Sequence, residues 1–149
     1  MGRLLTVGLV LVGLAMVVSA EDTEQGGARV RFAPLDVYVD TNGAALAAYQ
    51  FELITTAGEV AIVGIEGGDH SAFKEAPYYD PAALAKDRVI IAAFSTDRLL
   101  PRGRTRVARV HLQITGEVAP EYSTKLIVAA SGDGKEIPAT VTFEQGEQE

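Results

Sequence analysis

Two histidines, twenty acidic side chains and no cysteine set the chemistry open to this 149-residue chain. The stretch GDHSA places Asp69, His70 and Ser71 side by side. Members of a catalytic triad must converge from separate parts of the fold, which sequence neighbours do not, so a polar loop accounts for these three. His70 and His111 stand about forty residues apart and, without cysteine, would need carboxylates to complete a tetrahedral zinc set. DTNG, Asp40 to Gly43, opens like a calcium loop but lacks the later acids and the terminal Glu. No nucleophile elbow, H-E-x-x-H, P-loop or G-x-G-x-x-G is present, and nothing marks a pair of acids for glycoside hydrolysis. The expectation is a non-enzymatic chain with no catalytic residue, no cofactor and no metal.

The elements that would position any functional side chain read as strands. PLDVYVD sets Leu35, Val37 and Val39 against Asp36, Tyr38 and Asp40, and TNG then turns the chain. AALAAYQFELI is rich in helix formers, yet a helix would group Leu46, Tyr49 and Leu53 and leave Phe51 in water. Period two instead puts Ala47, Tyr49, Phe51 and Leu53 on one face, so the segment reads as a strand. EVAIVGIEGG and RVIIAAFS are apolar strands, the first stopped by Gly67 and Gly68. In TRVARVHLQITG, Ala108, Val110, Leu112 and Ile114 point inward, with Arg109, His111, Gln113 and Thr115 outward. TKLIVAA and EIPATVTF flank SGDGK, whose Asp133-Gly134 predicts a type I′ hairpin and pairing of the two segments. Pro138, lacking an N–H, puts the last strand at an edge or turns that position outward. YYDPAALAKD is the one helical piece, at most two turns, capped by Asp80 with Pro81 first. Seven strands, with an eighth at Val30 to Phe32, predict an all-β antiparallel sandwich with one short helix.

At the start, Arg3, a charge-free run from Leu4 to Val18 and the small residues Ser19 and Ala20 read as a secretory signal peptide over residues 1–20. The organisation expected is that leader, a flexible lead-in at 21–28, the sandwich at 29–143 and an acidic tail at 144–149. Removing 20 of the 149 residues leaves 129, enough for one domain that folds without staples. It keeps 12 Lys and Arg against 20 Asp and Glu, a formal charge of 12 minus 20, or −8. That balance repels nucleic acid and anionic lipid, so neither nucleic acid nor, after cleavage, a membrane is an expected partner. The destination expected is secretion to the periplasm, cell surface or medium.

In order and pattern, VYVDTNGAALAAYQFEL, VAIVGIEGGD, DRVIIAAFS and LLPRGRTRVARVHLQITG resemble the bacterial cohesin modules of cellulosome-type assemblies. Together with the later strands the likeness covers most of residues 35 to 143. The resemblance implies a jelly-roll sandwich, related in architecture to some carbohydrate-binding modules, without catalysis and with one sheet face gripping a dockerin, a small calcium-binding helical partner. Ala48 and Gln50 stand where members of that family often carry Asn and Asp.

The leading functional expectation is a secreted recognition module that binds a protein partner, dockerin-like among the options, through a sheet face carrying Gln50, Glu52, Arg109, His111 and Gln113. Polysaccharide is a second expected ligand class, for which sandwich modules need a row of exposed aromatics. This chain has no Trp and offers Tyr78 and Tyr79 together in a loop. A structural envelope or surface subunit is a third, and would show an unpaired edge strand or another self-association surface.

Overall fold

The computed structural model describes residues 27–146. The expected signal peptide at 1–20, most of the expected lead-in and the end of the expected tail lie outside the described residues. Eight strands run in the order β1 (Val30–Ala45), β2 (Ala48–Ala57), β3 (Glu59–Gly67), β4 (Tyr78–Tyr79), β5 (Arg88–Phe94), β6 (Arg102–Thr115), β7 (Glu121–Ala130) and β8 (Thr140–Gln145). They form two four-stranded antiparallel sheets, which we name A, in the order β3-β6-β1-β8, and B, in the order β4-β5-β2-β7. The chain is an all-β sandwich.

The core lies between the sheets and follows the expected alternation. Leu35, Val37 and Val39 come from β1, Tyr49, Phe51 and Leu53 from β2, and Val110, Leu112 and Ile114 from β6, all nearly or fully buried. Burying a side chain of that size is worth about 1.5–3 kcal/mol each. Phe51 therefore decides β2 as a strand: it is completely buried, where a helix would have left it wet.

One irregularity organises sheet A. Val37 pairs with Ala108 and Tyr38 with Arg106, so Val107 is an extra residue in β6. Such a bulge inserts one residue and switches the parity of the strand beyond it. Val107 and Ala108 are both fully buried, and Arg106 and Arg109 consequently share the outer face although three positions apart. The Tyr49 hydroxyl, from the opposite sheet, donates to the Val107 carbonyl at 3.0 Å. Burial pushes the Tyr49 hydroxyl pKa well up, so it stays a donor.

Several local expectations are corrected. The TNG turn is an excursion within β1, with Asn42 and Gly43 at positive φ and the Asp40 carboxylate accepting from the Asn42 N–H. Tyr78 and Tyr79 form β4 rather than a loop. The helix at 80–86 is a single 3-10 turn, Pro81–Ala83, still capped by Asp80; a second such turn, Ser71–Phe73, is capped by the His70 imidazole, which accepts from the Ala72 N–H at 3.1 Å. At SGDGK only Gly134 has positive φ, and its N–H reaches the Ser131 carbonyl at 2.9 Å, so the turn is not type I′. The flanking strands meet near this turn, at the Ala130–Glu136 bridge and the adjacent Ile137-to-Ala129 hydrogen bond, then part, β7 into sheet B and β8 into sheet A. β8 is an edge strand, although Pro138 falls in the segment before it rather than within it, and it includes Glu144 and Gln145 from the expected tail. Gly67 and Gly68 end β3 because the backbone there passes so close to Lys74 and Arg106 that a Cβ on Gly68 would overlap the Arg106 carbonyl.

Candidate binding faces

The five residues expected to share one face do not. β2 and β6 belong to different sheets, so Gln50 and Glu52 lie on the outside of sheet B while Arg109, His111 and Gln113 lie on the outside of sheet A. Alternation distinguishes inward from outward but not one outer face from the other.

The outside of sheet A is a charge lattice. Asp36, only 7% exposed, accepts from Arg106 Nη1 (3.0 Å) and Arg109 Nε (2.8 Å) on Oδ1, and from Arg109 Nη2 (3.0 Å) on Oδ2. The Arg109 hydrogen bonds hold its carboxyl below the usual range, with Arg106 adding to the effect and burial opposing it. Arg106 also donates to Asp69, its Nε at 3.0 Å, and these two carboxylates hold its guanidinium protonated. His111 lies between Gly64 on β3 and Pro34 on β1. Its Nε2 is 3.0 Å from Glu66 Oε1, without a hydrogen bond formed. Gln113 pairs across to Phe32 and Ala61. Phe32, Val63, Glu66, Arg109 and His111 border a shallow depression of about 740 Å³. Further along, Arg104 lies 3.5 Å over the Tyr38 ring and pairs with Glu144 at 2.5 Å. These charges neutralise one another within the sheet.

The outside of sheet B is different in kind. Pairing sets Tyr78, Ala92, Gln50 and Val128 in one row across all four strands, and Phe94, Ala48 and Ala130 in the next. Three alanines and Gln50 thus make a low floor. Tyr78 and Phe94, 70% and 65% exposed, rise on one side; Ile127 and Val128 rise on the other. The Tyr78 and Phe94 rings are nearly parallel, 6° apart with centroids 6.3 Å apart. Below the trough, Glu52 is held by Arg88, whose Nε donates at 2.6 Å.

No family model, curated protein or solved structure matches the chain. The reading of the two faces rests on their chemistry. Among the described residues no three His, Cys, Asp or Glu converge as a metal set. Asp69 and His70 are engaged separately, by Arg106 and by the 3-10 cap, so GDHSA assembles no triad.

Sequence reading missed the Tyr78–Phe94 pair and the alanine floor. RVIIAAFS is apolar on both parities, which conceals that Ile90, Ala92 and Phe94 face out. Adjacent tyrosines in a strand point to opposite sides: Tyr78 is exposed, while Tyr79 packs on the core, so the two do not form one platform.

Proposed function

We propose that this chain is a non-enzymatic recognition module of the cohesin kind, exported by its leader, that receives a helical protein partner along the outside of sheet B. The observation that carries the reading is the alanine-floored trough between Tyr78 and Phe94 on one side and Ile127 and Val128 on the other. Strands spaced about 4.8 Å apart put those walls roughly 14 Å apart where they span all four strands. An α-helix with its side chains is about 10–12 Å across. Alanine admits close approach of a partner backbone, exposed aromatic and aliphatic walls supply apolar contact area, and Gln50 offers an amide to fix register. In this reading Gln50 and Glu52 lie on the partner-facing sheet, whereas Arg109, His111 and Gln113 lie on the opposite surface. A dockerin-like module fits this description.

The test uses the chain as bait against the secreted proteins of its source, with and without chelator. A recovered partner is then purified and titrated against wild type and Phe94→Arg. The reading expects a helical partner whose affinity falls at least tenfold with Phe94→Arg while the melting temperature holds. A partner that binds both forms equally refutes the trough as the site.

A second reading is favoured by one observation, the parallel exposed rings of Tyr78 and Phe94. Two such rings offer a flat apolar surface for the face of a sugar. Retention on insoluble polysaccharide that is abolished by Tyr78→Ala or Phe94→Ala would establish it; equal retention of the variants would dismiss it.

A further inference from the structure

Sheet B ends at β7, to which no further strand pairs among the described residues, and the charges on that edge are self-complementary. Among the described residues, β7 from Glu121 to Val128 is hydrogen-bonded to β2 on one side alone; backbone hydrogen bonding to the segment leading to β8 is confined to the Ala129–Ala130 end, while on the inner side Tyr122 packs edge-on against Phe143 of β8. Glu121, Ser123 and Lys125 face outward and are exposed, with Tyr122 and Thr124 on the inner side. Neither Glu121 nor Lys125 takes part in an ion pair among the described residues. Lys125 stands directly opposite Glu52, which Arg88 holds, so the charges run positive, negative, positive from Arg88 to the edge and stop there.

We propose that a second copy of this chain adds to that edge, β7 against β7, antiparallel about a two-fold axis through Ser123. In this register Glu121 of each copy lies opposite Lys125 of the other, continuing the charge alternation, and Ser123 lies opposite itself. Directly opposed opposite charges stabilise an antiparallel pair, and like charges destabilise it. Sliding the axis to Lys125 would set lysine against lysine, which selects the proposed register. An isologous pairing of this type closes on itself and stops at two copies.

Two further observations fall on the same edge. Ile127 and Val128, 43% and 40% exposed, stand at the far end of the same edge strand. Tyr122 of this strand points between the sheets, its ring edge-on to Phe143 and its buried hydroxyl without a hydrogen-bond partner among the described residues. The pairing is made by the β7 backbone edge, and it shares Ile127 and Val128 with one wall of the partner trough.

The contact is smaller than the roughly 1,600 Å² of a standard stable interface, so the dimer forms and dissociates with concentration. The full chain, expressed with its own leader and purified as the host delivers it, is measured by sedimentation from about 10 μM to 1 mM at low salt. The wild type dimerises, and E121K and K125E each raise the dissociation constant at least tenfold. An equimolar mixture of the two variants associates again, because each supplies the charges the other lacks at the facing positions. The register is read separately by cross-linking, since the chain has no cysteine: Ser123→Cys oxidises to a covalent dimer and Ser131→Cys does not. A wild type monomeric at 1 mM, a mixture that fails to associate when the wild type does, or equal cross-linking at both positions overturns the proposal.

Discussion

Replacing Asp36 tests whether the charge lattice on sheet A braces the fold. The carboxylate is 7% exposed and receives three N–H bonds from two arginines whose side chains are each 17% exposed. Removing one partner of a buried ion pair costs about 3–5 kcal/mol, because the charge left behind is stranded. Here Arg106 keeps Asp69 and both guanidinium groups retain some water, which lowers the expected cost of Asp36→Ala at pH 7 to about 2–3 kcal/mol. For a domain of this size that is a fall in melting temperature of roughly 10 °C. The direction of the carboxyl shift sets the pH dependence. The Asp36 carboxyl is held below its ordinary value of 3.8 in the folded state, so its contribution is complete well above 3.8. It is lost as pH falls through the lower, folded value. Urea unfolding at pH 7, 4 and 2 should therefore show wild type losing more stability on acidification than Asp36→Asn. A cost below about 0.5 kcal/mol for Asp36→Ala, in the range of ordinary surface changes, or identical acid slopes in the two proteins, would refute the reasoning.

Tyr49→Phe should cost about 1–3 kcal/mol in denaturant unfolding, since the Val107 carbonyl loses its donor inside the core; no change would mean that the bulge is satisfied otherwise. Gly68→Ala drives a Cβ onto the Arg106 carbonyl and should destabilise by about 3 kcal/mol, read as a lowered midpoint at unchanged m-value. Ala85 is exposed with φ of 64°, between a hydrogen bond from its N–H to Ile62 and the Lys86 carbonyl that accepts from Ile62. Ala85→Gly should raise stability by about 0.5 kcal/mol, as relief of left-handed strain outweighs the added freedom of the unfolded chain.

The features legible in the sequence and those hidden from it divide along a physical line. Alternation reports which side of a ribbon meets the core, and it identifies the inward residues of β1, β2 and β6 because one misplaced Phe51 or Leu112 would cost kilocalories. It carries no information about which of two sheets a strand joins, so it groups Gln50 and Glu52 with Arg109, His111 and Gln113 although a hydrophobic layer separates them. The Asp-Gly pair likewise marks a reversal at Ser131 to Lys135, but a turn signal does not say whether the strands it joins stay together, and β7 and β8 part to opposite sheets. One further signal is visible. Arg106-Val107-Ala108-Arg109 places two apolar residues between two cations inside an otherwise strict alternation. That spacing can keep both arginines in water only if the strand bulges. The bulge in turn brings both onto Asp36 and leaves a carbonyl for Tyr49, so this single break in period couples the charged outer face to the packing between the sheets.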